Sequence, residues 1–327
     1  MPITRRWDPA AWETSDFVWL LCLGADYDAA GNARPWWMAD NQMELWSGVT
    51  WDRLDLVREW PRRGTIWTAP QVCATEFGHV CIVGENEEGP TPRQRALMVD
   101  PYTMNPIGSL PQAPTQQYQH AGRAAWRDGR IQRVGAEWWL TMTTGGFRWH
   151  CPPQVMLYRS DIWTDGWQLD GPIVDPALAQ LFAEFERPQL HRLSDSRWVL
   201  IWSTWASRQW MTPPGRECVH VAVSAGYYPL ISRYLGCLRL PYGLALDGHL
   251  ACGWDWIDAR SYTSTCRVWR MDETPDDLVR MFEQEKTDAE KKAGDLGRSA
   301  LADVGPGTKA QSETADPCVA DRPGLLT

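Results

Sequence analysis

Two glutamates one residue apart, in Glu184-Phe185-Glu186-Arg187-Pro188-Gln189-Leu190, give the strongest chemical signal in the chain. Alternate residues of an extended segment share a face, so both carboxylates point the same way. Like charges so placed repel, one pKa rises, and that carboxyl becomes suited to donate a proton near neutrality. Arg187, next in line, can anchor hydroxyl groups or fix one carboxylate by paired hydrogen bonds. A further acid, Asp128, lies in Trp126-Arg127-Asp128-Gly129, ahead of the strand-like Glu137-Trp-Trp-Leu-Thr-Met142. Asp8 lies in Trp7-Asp8-Pro9, before the apolar stretch that opens at Phe17. Acids distant in sequence that meet in one pocket suit the cleavage of a glycosidic bond. That reaction needs a proton donor and a second carboxylate on opposite sides of an oxocarbenium-like centre. Each segment also has an ordinary reading. Asp-Gly is a strong turn signal, which would make Arg127-Asp128-Gly129 a surface turn, and Asp8 would be a turn residue near the N-terminus.

Acids so far apart need a fold that returns several strands to one axis. The 327 residues include 22 Trp against 9 Tyr and 6 Phe, an excess that excludes a disordered chain and a coiled coil. With 26 Gly and 24 Pro, many short elements are favoured over a few long helices. A short apolar or alternating stretch ending in Ser or Asp recurs five times. The copies are Met43-Glu-Leu-Trp-Ser47, Ala96-Leu-Met-Val-Asp100, Val155-Met-Leu-Tyr-Arg-Ser160, Val219-His-Val-Ala-Val-Ser224 and Val268-Trp-Arg-Met-Asp272, with end points 53, 60, 64 and 48 residues apart. Repeats of this length holding several strands each are what a β-propeller gives, one per blade. Further strands fit between the marks at Phe17-Val-Trp-Leu-Leu-Cys-Leu23, His79-Val-Cys-Ile-Val83, Glu137–Met142, Trp198-Val-Leu-Ile-Trp202 and His249-Leu-Ala-Cys-Gly253. Hydrophobic runs recur in any all-β chain, so the period alone does not decide the blade number. The expectation is an all-β, five-bladed β-propeller over residues 1–273, with the acids gathered in a central funnel. Thr274-Pro275-Asp276-Asp277 reads as a helix start, with an N-cap hydroxyl, Pro in the first turn and acids at the positive dipole end. Leu278, Met281 and Phe282 then share a face, so a short amphipathic helix over 274–293 is expected to dock on the propeller. Residues 294–327 have little to bury and read as a disordered tail.

The Glu184-Phe185-Glu186-Arg187 run, followed by a hydrophobic strand opened by Trp198, resembles the acid/base motif of the levansucrases and related fructosyltransferases. These are the family 68-like glycoside hydrolases, five-bladed propellers in the same clan as the invertases. The resemblance implies that Glu186 is the general acid/base. Gly226-Tyr227-Tyr228-Pro229-Leu230 is similar to a turn found downstream in that family. Trp126-Arg127-Asp128-Gly129 resembles its Arg-Asp-Pro segment, whose aspartate holds fructosyl hydroxyls and stabilises the transition state. Gly129 replaces the proline and makes a stiff turn permissive. Trp7-Asp8-Pro9 resembles the nucleophile segment, although the second tryptophan is displaced to Trp12 and proline follows the acid directly. Asp8 is then either the nucleophile or a turn residue. Trp67-Thr68-Ala69-Pro70 is similar to a Trp-Ser-Gly segment that lines the fructosyl pocket, and Arg208 stands where the family has an arginine that contacts the glucosyl unit. The ordinary readings there are a core Trp and a solvated Arg. The implied binding set is Trp7, Trp67, Thr68, Arg127, Glu184, Arg187 and Arg208. The resemblance runs from Trp7 to Val268. The chain is shorter than typical members, so loops that build acceptor subsites are expected to be absent.

The remaining composition sets the context. Lys and Arg total 32 against 41 Asp and Glu, a net charge of −9, which excludes a general attraction to nucleic acid or anionic membranes. The nine cysteines are scattered, with no CxxC or Cys/His zinc spacing, so reduced thiols in strands are expected and neither metal nor cofactor is implied. The N-terminus lacks the apolar core of a signal peptide, which points to a cytoplasmic protein, with leaderless secretion as the alternative. The resemblance therefore implies retaining cleavage of a β-fructofuranosidic bond in a sucrose-like sugar. Two alternatives stay open. One is a repurposed propeller enzyme of small-molecule biosynthesis, acting on a sugar or an aromatic or nucleoside-like ligand. The other is a sugar-binding propeller without catalysis.

Overall fold

Trp198-Val-Leu-Ile-Trp-Ser-Thr204 is apolar at nearly every position, whereas a strand with one wet face alternates. Every residue of that stretch is buried, because neighbouring sheets cover both of its faces. The computed structural model describes residues 6–25, 41–61, 65–87, 94–111, 119–120, 123–124, 126–146, 151–182, 184–204, 218–238, 240–247, 249–258 and 263–302. They form a five-bladed β-propeller of consecutive antiparallel sheets. Blade 1 contains β1 (Arg6–Glu13), β2 (Val18–Ala25), β3 (Asn41–Thr50) and β4 (Arg53–Pro61). In blade 2 the strands are β5 (Thr65–Thr75), β6 (Gly78–Glu87), β7 (Gln94–Val99) and β8 (Pro106–Gly108). A two-stranded ribbon, β9 (Gln119–His120) with β10 (Arg123–Ala124), leads into blade 3. That blade comprises β11 (Trp126–Val134), β12 (Glu137–Gly146), β13 (Cys151–Ser160) and β14 (Gln168–Pro172), followed by the single-turn helix α1 (Pro176–Ala179). Blade 4 has β15 (Glu186–Arg192), β16 (Trp198–Thr204), β17 (Cys218–Ser224) and β18 (Ile231–Leu238). Blade 5 has three strands, β19 (Tyr242–Asp247), β20 (Leu250–Asp258) and β21 (Thr263–Arg270).

The core is divided among five clusters, one at each blade interface. Trp7, Trp12, Leu21 and Leu23 pack on Val83 and Val99 between blades 1 and 2. Ile82 and Met98 meet Trp126, Leu140 and Met142 between blades 2 and 3, and Trp139 and Leu157 meet Trp198, Leu200 and Trp202 between blades 3 and 4. Val199, Ile201 and Val221 meet Leu244 and Leu246, and Leu20 and Cys22 meet Leu250 and Cys252 to close the ring. Successive residues of β2, β12 and β16 thus belong to different clusters, as the two faces of a strand require.

The chain divides into two compact units, residues 1–282 and 283–327. Helix α2 runs over Pro275–Ala302, longer than the expected 274–293. The Thr274 hydroxyl accepts from the Asp277 amide, while the Asp277 carboxylate accepts from the Thr274 amide and hydroxyl, a reciprocal cap. In the first unit Leu278 and Val279 are buried against the blade 4 and blade 5 cluster, with Phe282 partly buried beside them. No helix among the described residues is long and apolar enough to cross a membrane.

Candidate active site

Each innermost strand breaks register near its N-terminal end. The breaks fall between Trp7 and Ala10, Thr68 and Gln71, Arg127 and Arg130, Glu186 and Gln189, and Tyr242 and Ala245. Inside each break one residue has positive φ: Asp8 at 47°, Ala69 at 35°, Asp128 at 55°, Arg187 at 50° and Gly243 at 65°. These positions are 61, 59, 59 and 56 residues apart. A left-handed backbone costs an L-residue roughly 1–2 kcal/mol, and bulges of this kind re-aim side chains beside active sites. Two of the three acids to which the resemblance assigns catalytic roles, Asp8 and Asp128, occupy such positions. Glu186 immediately precedes a third.

The bulges meet at the propeller axis through Arg187. Its guanidinium donates to the carbonyls of Gly243 (2.5 Å), Pro9 (2.7 Å) and Pro70 (3.0 Å), and its backbone amide donates to Asp128 Oδ2 at 3.1 Å. One residue therefore touches the inner strands of all four other blades. Deeper along the axis, Gln189 donates to the Leu244 carbonyl and accepts from Arg130 at 2.5 Å and from the Leu246 amide at 2.7 Å. Gln71 donates to the Asp128 carbonyl at 3.3 Å.

On this floor stands an arginine among acids. Arg127 donates to Glu184 Oε2 at 2.8 Å and to Glu186 Oε1 at 3.2 Å, and its Nε lies 3.8 Å from Asp128 Oδ2. Phe185 between the two glutamates is fully buried, and its carbonyl accepts from the Thr143 hydroxyl at 2.8 Å, which fixes the backbone that presents them. Asp8 Oδ1 accepts from Trp254 Nε1 of blade 5 at 3.2 Å. Burial pushes the Asp8 carboxyl above its usual range; Arg187 opposes the rise, Glu186 adds to it, and the Trp254 hydrogen bond and Arg127 oppose it. Burial likewise pushes Asp128 up to about 6, against the pull of Arg127 and the Arg187 amide, while Glu186 and Asp8 push further. Asp128 Oδ1 is buried and accepts no hydrogen bond among the described residues. Asp8, Asp128 and Glu186 thus lie near enough for each charge to bear on another, Glu186 on both aspartates and Asp8 on Asp128. Raised carboxyl pKa values beside fixed cations are the equipment of proton transfer and of charge stabilisation.

The residues expected from sequence are distributed unevenly. Asp8, Arg127, Asp128, Glu184 and Glu186 converge as described. Trp7 is fully buried in the blade 1 and blade 2 cluster and presents no surface to a ligand. Arg187 is also fully buried, and its two terminal nitrogens donate to backbone carbonyls, so it does not anchor hydroxyl groups directly. Trp67 and Thr68 lie on β5, but their side chains are outside the described residues, as is Arg208. Gly226–Leu230 connects β17 to β18, at the end of blade 4 remote from Glu186; Tyr227 and Tyr228 are exposed there. Trp254, Gln71 and Thr143 escaped sequence reasoning. The first two support acids of other blades, and no local motif marks them. The bulge repeat did leave a trace, since proline follows the positive-φ residue at Pro9, Pro70 and Pro188.

The fold is similar to that of a Bombyx mori GH32 β-fructofuranosidase, with a TM-score of 0.58 and 14% identity over 80% of this chain and 59% of that one. A variant of that enzyme in complex with sucrose gives 0.57 and 13% over the same shares. An endo-arabinase from Bacteroides thetaiotaomicron gives 0.52 and 12% over 83% of this chain and 95% of that one. The shared feature is the five-bladed propeller. No protein-family model matches the chain and no curated protein sequence matches it. The chain spans 59% of the length of the Bombyx mori enzyme.

Proposed function

We propose that this protein is a retaining glycoside hydrolase of levansucrase type that cleaves a β-fructofuranosidic bond in a sucrose-like sugar. The observation that carries the reading is the cluster in which Arg127 of blade 3 bonds Glu184 and Glu186 beside Asp128, with Asp8 of blade 1 near enough for the Glu186 charge to bear on it. Asp8 would attack the fructosyl anomeric carbon while Glu186 gives a proton to the leaving oxygen. Water would then resolve the covalent intermediate, with Glu186 taking the proton back. Asp128, whose second oxygen accepts no hydrogen bond among the described residues, would bind fructosyl hydroxyls as positive charge develops on the ring. Glu186 accepts from Arg127. A sugar that engages Arg127 and Glu184 would release Glu186 for proton transfer and so couple binding to chemistry. The similar fold of a β-fructofuranosidase supports this reading.

Release of glucose from sucrose tests it. Glu186→Gln is expected to lower kcat/KM by about 10³-fold, the scale of general acid catalysis, with the fold retained by circular dichroism. Sucrose turnover that persists in Glu186→Gln would remove Glu186 from the mechanism. Glucose release only when a second sugar is added would make the protein a transferase.

A further inference from the structure

The Arg187 guanidinium is a buried cation that, among the described residues, donates to no carboxylate. Such a charge is costly unless fixed dipoles replace its hydration. Here three carbonyls do so, and their positions are informative. Pro9 follows Asp8 directly, Pro70 follows Ala69, and Gly243 is itself the left-handed residue of its strand. The left-handed turn at Arg187 also aims its amide at the Asp128 carboxylate. A planar fork with several donors fits this arrangement, while a lysine ammonium is a single point. Hydrogen bonds of Arg187, the residue after Glu186, therefore join the backbone next to Asp8 to the Asp128 carboxylate.

We infer that Arg187 is a positioning residue of the pocket: its guanidinium at the propeller axis and its backbone amide together fix the bulges that present Asp8 and Asp128 to the substrate. The assignment deepens the proposed hydrolase reading and rests on it for the roles of the two acids. Arg187 itself touches no substrate. Glycosidic chemistry needs its two carboxyls at a fixed separation, and a displacement of about 1 Å at an active site costs on the order of 10²-fold in rate.

The test compares Arg187→Lys, which keeps the cation and loses the fork, with Arg187→Met, which loses both. Crystal structures give the positions of the two carboxyls, NMR titration of the aspartate carboxyl carbons gives their midpoints, and kcat and KM on sucrose give the consequence. Asp8 is faced by Arg187, Glu186, Arg127, Trp254, Asp128 and the Cys266 thiol, and Asp128 by Arg127, Glu186, Asp8 and the Arg187 amide. Of these only Arg187 changes. Arg187→Lys is expected to fold, to shift at least one of the two carboxyls, and to lose about 10²-fold in kcat with KM within a few-fold. In Arg187→Met the Asp8 midpoint is expected to rise, and the acid limb of the pH–rate profile to move up with it. Folded variants with both carboxyls in place and unchanged midpoints would overturn the assignment, whatever the activity. Failure of both variants to fold would also overturn it, since Arg187 would then be structural. An inactive native protein would remove the fructosyl reading alone, because positions and midpoints are measured without substrate.

Discussion

Asp128 shows at the level of one residue how the pocket opposes the stability of the chain that builds it. Its carboxyl is raised from an ordinary 3.8 to about 6, chiefly by burial. Between those two values the folded chain holds a proton that the unfolded chain has released. Stability therefore falls as pH rises through the window, and the penalty is complete above about pH 6. A shift of this size corresponds to roughly 2–3 kcal/mol. Asparagine keeps an acceptor for the Arg187 amide and removes the charge. Asp128→Asn is thus expected to be more stable than the native chain by about 1–3 kcal/mol near pH 7.5 and nearly equal to it near pH 4, measured by urea unfolding at both values. Equal stability at the higher pH would mean that the buried carboxylate is compensated by contacts beyond the Arg127 charge and the Arg187 amide. The identity of the acids was readable in the sequence because Glu184-Phe185-Glu186 and Arg127-Asp128 are compact local signals. Their partners were not. Trp254 lies 246 positions from Asp8, and only the closed ring brings them together.

The inner strands are the elements that turn this sequence into a site, and their bulges make opposite demands at two positions. Ala69 has φ 35° and bears a Cβ in a conformation that disfavours one, so Ala69→Gly is expected to raise stability by about 0.5–1 kcal/mol. Gly243 has φ 65°, and an added Cβ would meet Trp254 Nε1 at 3.1 Å and Arg187 Cδ at 3.5 Å. Gly243→Ala is therefore expected to lower stability by at least 1 kcal/mol and to disturb the Arg187 layer. Thermal unfolding of both variants checks the pair, and a shift of the same sign in each would argue against strain as the cause. The blades were visible in the sequence for a reason these strands do not share. All five marked stretches fall on or run just past the third strand of a blade, and the intervening runs fall on the second, since second and third strands are covered on both faces and read as continuous apolar segments. The inner strands face a polar axis filled by Arg187, Gln189, Arg130 and Gln71, which breaks their hydrophobic pattern. The outermost strands are short or wet: β4 is exposed along most of its length and β8 has three residues. The most regular repeat in the chain, at the left-handed positions, was hidden because its residues are Asp, Ala, Asp, Arg and Gly, which have backbone geometry in common and little chemistry.

At the level of the whole molecule, the first and last blades must meet for any of this to exist, and the contacts that join them differ in kind. At the surface Arg270 donates to both Glu13 carboxylate oxygens at 2.8 Å, but Arg270 is 64% exposed. Inside, Trp254 packs with Trp7 and Trp12 while holding Asp8, Cys252 donates to the Pro9 carbonyl, and the Ser264 hydroxyl donates to the Arg6 carbonyl at 2.8 Å. The tryptophan excess thus has an architectural use, since large flat side chains fill wedge-shaped gaps between blades; Trp12 and Trp19, and Trp139 and Trp198, stack there. An exposed ion pair contributes about 0–1 kcal/mol and is screened by salt, whereas truncating a buried tryptophan costs about 3–5 kcal/mol. Arg270→Ala is accordingly expected to leave the unfolding midpoint nearly unchanged in 0.5 M salt, and Trp254→Ala to lower it sharply. Trp254→Phe separates most of the packing from the hydrogen bonding, because it keeps a smaller aromatic ring and removes the N–H that helps to hold the Asp8 carboxyl down. Its Asp8 midpoint should rise while the fold survives. An unchanged midpoint would show that closure of the ring, rather than the hydrogen bond across it, is what blade 5 supplies to the pocket.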